Sequence, residues 1–582
     1  MQLPLFHLAL MLPFWPPKDR PPKFNFTHGD DAFSPMDMVS MRKPGEGIAN
    51  PAGDMFLLPI KTYNETEAEY QYSMLLSSLG MAVQQTHEFT LSDRDSVFWL
   101  DSRTIAHVIH IETEDYPYEK YDLKALSLDL KDSSDGDAGH LRVLHSSFAA
   151  TLPTITGSDF RYLPQAQRLV FYDQIPEDGN FTMYRPEEAP VYFDGPPPDY
   201  GSMITRVMDD RATDDMPTLM SVSLSKAVSD AWSLGSDYGR LIPHDQLPDI
   251  STENHYDVSG TRIIYRTEAE VEIPDCTCRF PQDIYVNNID GSTIPRRIAS
   301  ARVVISPTLN HAGTKAAWLE IKGKKKIVVY DIVQDIEFTL IDDMNLTSAS
   351  LVFSKVDNTL YFISANDILV SVYSLPIPET PLSGSLDSPV PPNLITETTS
   401  LSRIQALPNG DILATRLSYA SPNEVIIIHD PQGAKVVEQA SHLNDDIVQR
   451  TNLTEGEAFE IPGMENAHGW LLKPKGWIKN DGVKRPVVLI HYEGEQYGIA
   501  FIPRANTAVE VLVLGIDRRK AIFIDEDSSE TMLNAVNNSG SKHGLRFKLA
   551  FGIFSDEYDL YLEGRDSNSI YRAYDFLQSI AE

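Results

Sequence analysis

Three stretches of this 582-residue chain hold residue types that could carry nucleophilic chemistry. Ser539-Gly540-Ser541-Lys542-His543-Gly544 places two serines beside a histidine, the pairing from which a base-activated hydroxyl is built. Gly235-Ser236-Asp237-Tyr238-Gly239 places a serine between glycines. His491-Tyr492-Glu493-Gly494 follows the apolar run Val487-Val488-Leu489-Ile490, where backbone N–H groups could face a developing oxyanion. A serine nucleophile at the end of a buried strand needs the strained turn G-x-S-x-G. The first stretch lacks a glycine two residues before either serine and follows no apolar strand. The second has the wrong register. The first is expected to be a polar turn and the second falls in the strand-rich region before residue 452, so no catalytic residue is assigned.

Metal and redox chemistry find less support. Cys276 and Cys278 stand one residue apart, too close for an unstrained disulfide. They also lack the third and fourth ligands of a structural zinc. His107, His110 and His145 lie on or beside apolar strands and are expected to be sheet residues rather than ligands. No metal and no cofactor is expected.

Charge narrows the partners. Lys and Arg total 49 against 83 Asp and Glu, a formal charge of -34 that repels phosphate backbones. The one dense basic run, Lys322-Gly323-Lys324-Lys325-Lys326, reads as a hairpin turn, so no nucleic-acid binding is expected. Mean hydropathy is -0.24 and no segment reaches about 18 uninterrupted apolar residues, so no membrane anchor is expected. Residues 1–20 form a signal-like leader with an apolar run from Leu3 to Leu12, but without a basic start or a small-residue cleavage site. Six glycosylation sequons begin at Asn25, Asn64, Asn180, Asn345, Asn452 and Asn537. They favour a secreted protein; a cytoplasmic one is the alternative.

The elements that would position any site are mostly strands. A phrase recurs from about Pro51 to His429: a turn of Gly, Asn or Asp, then an apolar strand, a second turn and another strand. Its copies begin at Ala52-Gly53-Asp54, Ser102-Arg103-Thr104, Gln167-Arg168, Gly260-Thr261, Ala312-Gly313-Thr314, Asp357-Asn358-Thr359 and Asn409-Gly410-Asp411. In the second half the repeat spans roughly 45–55 residues, the length of a four-stranded propeller blade. Following strands recur at Asp283–Gly291, Lys326–Asp331 and Val425–Asp430. With Thr218–Leu224 counted as one more outer strand, the expected fold is a mainly β, roughly seven-bladed β-propeller over residues 35–452. A pair of β-sandwiches is the alternative. After Asn452 strands alternate with helix-like stretches, as in a partial α/β domain over residues 455–582.

Gly469-Trp470-Leu471-Leu472-Lys473-Pro474 and Arg485-Pro486-Val487-Val488-Leu489-Ile490-His491 behind a propeller resemble the prolyl oligopeptidase family of serine peptidases. The phrases Met38–Gly53, Ser421–Val425 and His442-Leu443-Asn444 are similar to its fungal secreted dipeptidyl-peptidase V branch. The resemblance implies an α/β-hydrolase domain, release of N-terminal dipeptides from peptides, and secretion. It also implies an oxyanion loop of His-Gly-Gly-Pro type, of which His491, Tyr492 and Gly494 are the remnant. Tyr492 and Glu493 would crowd and repel an oxyanion there. About 127 residues follow Glu455, fewer than the family's catalytic domain needs. The expectation is therefore a serine dipeptidyl-peptidase-family chain that is itself inactive, with peptides as its partners if any, or a non-catalytic β-propeller that serves as a binding or interaction protein.

Overall fold

The computed structural model describes residues 41–451 apart from several connecting segments, of which 177–214 is the longest, and four short strands between residues 457 and 516. Seven antiparallel sheets follow one another along the chain, each made from contiguous residues. These blades span 43–91, 96–152, 158–240, 256–302, 304–344, 351–394 and 400–439, and within each four strands pair in chain order, with Ile48–Ala49 and Gly239–Arg240 as extra short strands on Met55–Asn64 and Asp215–Lys226. First strands of successive blades neighbour one another around the axis, while the fourth strands form the rim. The rim strands Arg296–Arg302 and Val436–Gln439 are mostly exposed.

The sequence explains why the sheets stack radially. In Met55-Phe56-Leu57-Leu58 successive side chains point to opposite faces, and all four are fully buried. Met55 and Leu57 join an apolar cluster with Trp99 and Ile105 of blade 2, whereas Phe56 and Leu58 join Leu413 and Val425 of blade 7. A strand buried on both faces needs a neighbour on each side, and a closed ring supplies one to every blade. Seven apolar clusters fill the seven interfaces between blades. Two face-to-face sandwiches would not give this arrangement.

Each of the seven recurring phrases is the turn between the first and second strands of a different blade. Their side chains set the turn geometry. Asn50 Oδ1 accepts from the N–H groups of Asp54 (3.0 Å) and Met55 (3.2 Å), and Asn310 Oδ1 from those of Thr314 (2.7 Å) and Lys315 (2.9 Å). The turns also touch one another. Arg103 of blade 2 pairs with Asp54 of blade 1 at 2.7 Å, and Arg262 of blade 4 donates to the carbonyl of Gly313 in blade 5 at 2.9 Å. Gly313 has a φ of 66°, and a Cβ on it would stand 2.8 Å from the carbonyl oxygen of Ser259.

Thr218–Leu224 is an outer strand as expected: it lies in the strand Asp215–Lys226, the third of blade 3, which pairs residue for residue with Arg168–Pro176. The long connection 177–214 separates these partners in sequence and hides their pairing. The basic run Lys322–Lys326 is a hairpin as expected, with Lys322 opposite Lys324.

Among the described residues, no strand of blade 1 comes from the C-terminal end of the ring. Side chains close the seam instead. Gln405 Oε1 accepts from the N–H of Ala49 (2.9 Å), Arg403 pairs with Glu46, and Asn444 bonds to both backbone groups of Arg42. Gly47 lets Val425 approach: a Cβ there would lie 3.0 Å from the valine methyl.

After the helix Asp445–Thr451 comes an eighth sheet of different character. Its strands Glu457–Glu460, His468–Leu472, Val487–His491 and Leu512–Ile516 are ordered first, second, fourth, third. The first two pairings are antiparallel, and the last, between Val487–His491 and Leu512–Ile516, is parallel.

Candidate functional site

Antiparallel blades fix the geometry of the two faces. Four strands run alternately up and down, so the chain enters blade 1 and leaves blade 7 on the same face, here the junction face. The ring of first-to-second-strand turns lies on the opposite one.

Toward the turn face of the ring, the innermost strands of blades 3, 4 and 5 share a polar network. Arg161 pairs with Asp159 (3.2 Å) and Asp257 (3.3 Å), and its guanidinium stacks on Tyr256 at 4.3 Å. Asp257 also accepts from Thr308 Oγ1 (3.0 Å) and the N–H of Leu309 (2.8 Å). Burial pushes the Asp257 carboxyl up, against the pull of Arg161 and these donors. Two carboxylates facing one guanidinium leave a net negative charge, and Asp159 is the most exposed of the three. A cationic group would complete the charge balance. No sequence motif announced this site, because its members come from three blades.

At the seam lies a second network. Glu424, at the start of the third strand of blade 7, is 2% exposed and accepts from Ser441 Oγ. Ser441 Oγ in turn accepts from the N–H of Val425 (2.8 Å). Arg416, opposite Glu424 in the sheet, donates to Gln439 (3.0 Å). Burial pushes the Glu424 carboxyl up to about 7, although Ser441 and Arg416 oppose the rise. His442 and Asp445 follow at 3.0 Å, where the chain turns into the helix.

The residues singled out by sequence are scattered. His491 is the last residue of the third strand of the C-terminal sheet, opposite Ile516 of its parallel partner. Crevices outside the carboxyl ends of parallel strands are where α/β sheets bind ligands, and the backbone places His491 at such an end. Tyr492, Glu493 and Gly494 lie outside the described residues, as do Ser539, Ser541, His543, Cys276 and Cys278. So do the sequons at Asn25, Asn180, Asn345, Asn452 and Asn537. Asn64 closes the second strand of blade 1, where its Nδ2 reaches Glu67 at 3.2 Å. Ser236 falls in blade 3, between strands Trp232–Leu234 and Gly239–Arg240, far along the chain from the C-terminal sheet.

His107 lies in the second strand of blade 2 and meets Asp95 at 2.9 Å; His110 lies in the same strand and donates its N–H to Asp95 at 3.1 Å. His145 stands on the exposed rim strand of that blade. Among the described residues no group of three or more His, Cys, Asp and Glu side chains is placed to hold a metal ion. Nor, among them, is any helix long and apolar enough to cross a membrane.

No family model matches the sequence, and no curated protein matches it. Solved structures do. An acylaminoacyl peptidase in complex with Z-Gly-Gly-Phe-chloromethyl ketone superposes with a TM-score of 0.53 at 12% identity, over 83% of this chain and 66% of its own. Pyrococcus horikoshii acylaminoacyl peptidase superposes with a TM-score of 0.54 at 12% identity, over 86% of this chain and 71% of its own. This chain thus spans about two thirds of the length of these structures. At such identity the likeness is one of fold: a mainly β chain built on a seven-bladed propeller.

Proposed function

We propose that this chain is a peptide-binding protein of the prolyl oligopeptidase type, related to the dipeptidyl-peptidase V branch, and that these 582 residues do not themselves cleave peptides. The observation that carries the reading is the order of sheets: seven contiguous blades, then a mixed sheet ordered first, second, fourth, third with a parallel final pair. That sheet has the character of the opening strands of an α/β hydrolase. The propeller is assigned residues 35–452 and the α/β segment residues 455–582. In this reading the ring presents its channel to the α/β segment, and peptides enter between them.

The negative excess at Asp159, Arg161 and Asp257 supports a ligand with a cationic end, such as a peptide's N-terminal ammonium. The sequence supports inactivity. Acyl transfer needs a serine on an elbow, a histidine to take its proton, a carboxylate to orient that histidine and N–H donors for the oxyanion. No G-x-S-x-G stands in these residues, and Tyr492 with Glu493 takes the place of the small residues that would let backbone approach the substrate. Loss of triad members of this kind removes a factor of about 10⁶ in turnover. The signal-like leader and the sequons support secretion.

The test pairs a serine-directed fluorophosphonate probe with a chromogenic dipeptide substrate. Neither labelling nor turnover is expected. Stoichiometric labelling of a serine together with dipeptide release would refute the inactive reading, and Ser539 and Ser541, with His543 as base, would be the first residues to map.

A further inference from the structure

The face of blade 1 that packs against blade 2 holds, toward the junction face, an arrangement of charge that folding alone does not explain. Lys43 and Lys61 are direct partners across the first two strands of blade 1. Like charges directly opposite in an antiparallel pair repel and destabilise the sheet. Tyr72 is the next partner in the same row, and Tyr63 pairs with Tyr70 two residues further toward the junction face. Since direct partners share a face and the period is two, all five side chains lie on one side of the blade. It is the side whose deeper residues, Met55, Leu57, Met74 and Leu76, pack against blade 2.

The two ammonium groups converge. Lys61 Nζ lies 4.1 Å from the Tyr70 ring centre and 5.9 Å from that of Tyr72. Lys43 Nζ lies 5.1 Å from the Tyr70 ring centre and donates to its hydroxyl at 3.3 Å. Tyr63 meets Tyr70 edge-on at 5.3 Å. Neither lysine has a carboxylate partner among the described residues. Glu67 accepts from Asn64 and Gln71, and Glu88, opposite Leu75, lies on the other face of the blade, where Arg42 and Ser73 engage it, both at 2.6 Å. In a chain of charge -34, two half-buried, facing lysines without a counter-ion are a conspicuous departure.

We propose that Lys43 and Lys61, held over Tyr70 and flanked by Tyr63 and Tyr72, form a binding site for an oxyanion. Lys43 spends one N–H on Tyr70, which leaves each ammonium with donors for an oxygen placed between them. The aromatic faces hold the ammonium groups in place when the anion is absent. The ligand is a carboxylate, as at the C-terminus of a peptide, or inorganic phosphate; both offer two oxygens to two donors. The inference does not rest on the peptidase reading, since it needs only blade 1 and its register.

The site is testable by lysine acylation of the full chain, followed by mass spectrometry, at constant ionic strength. Lys226, exposed on blade 3, serves as the internal reference. Phosphate, a short peptide with a free C-terminal carboxylate, and the same peptide amidated are compared. Protection of Lys43 and Lys61 but not Lys226 is expected, about tenfold at a ligand concentration ~10 times Kd. Protection by phosphate alone assigns an inorganic anion. Protection by the free-acid peptide but not its amide assigns a peptide terminus. No protection, or equal protection of Lys226, overturns the proposal. The variant Lys43→Gln supplies a second readout. Removing one of two facing charges should not lower the melting temperature without anion, but should abolish both the anion-dependent rise in melting temperature and the protection of Lys61. Retained protection of Lys61 in that variant also overturns the site.

Discussion

Asn444 and Arg42 stand 402 residues apart and bond as two strands would: the N–H of Arg42 donates to Asn444 Oδ1 at 3.2 Å, and Asn444 Nδ2 donates to the carbonyl of Arg42 at 2.9 Å. The carbonyl of Asn444 also accepts from Val448, so the same residue caps the helix Asp445–Thr451. Asn444 is 1% exposed. Asn444→Ala removes two buried bonds and leaves the backbone of Arg42 short of partners, at a cost of about 2–4 kcal/mol. Urea titration should show the loss, and hydrogen exchange should place it in blades 1 and 7. Equal exchange in all seven blades would contradict the seam assignment.

Glu424 should make stability fall as pH rises. Its carboxyl sits at about 7 in the folded chain against an ordinary 4.5, with burial as the main cause. The folded state therefore keeps a proton that the unfolded chain releases, and stability is lost between those two values. Glu424→Gln cannot ionise and keeps an acceptor for Ser441. It should match the parent near pH 4.5 and exceed it at pH 8, by up to about 3 kcal/mol. Thermal melts at both pH values check this.

His429 titrates with the opposite sense of partnership. Burial disfavours its charge, but Asp411 at 2.8 Å and Glu438 at 3.0 Å outweigh it, and its pKa rises above 6.5. The contribution to stability is present below 6.5 and disappears as pH climbs through the raised value. An NMR titration of the imidazole should show the rise, and Asp411→Asn should reduce it.

Gly313 and Gly80 share a left-handed backbone, with φ of 66° and 67°. A Cβ on Gly313 would press on the carbonyl of Ser259 in the next blade, whereas one on Gly80 would meet nothing within 4 Å. Gly80→Ala should cost about 1 kcal/mol of backbone strain. Gly313→Ala should cost more, because a backbone carbonyl in a packed ring cannot step aside. Denaturant midpoints for the two variants give the comparison.

Turns and continuous apolar runs made the ring legible, since a blade's first turn is local: Asn310 governs residues only four and five positions on. The count of blades was legible because the seven turns stand one per blade. What sequence did not reveal are relations between strands that the chain brings together from a distance. Arg161 and Asp257 belong to different sheets, and Lys43 faces Lys61 only once the register of blade 1 is set. The interrupted first strand of that blade, Lys43–Pro44 then Ile48–Ala49, blurs the register further. Chemistry in the C-terminal sheet stayed at the level of motif, with His491 placed at a strand end by backbone alone.

Because every blade is drawn from one unbroken stretch of chain, each sheet can pair as soon as its own residues leave the ribosome. Contacts between strands are then local in sequence, which speeds folding. Blades can be added in order of synthesis, each burying the exposed face of the one before, as in a linear repeat array. Only the meeting of blade 7 with blade 1 must wait for the end. Until Asn444 is made, the apolar faces of Phe56 and Val425 stay uncovered, and the nascent chain carries its greatest risk of aggregation at that one step.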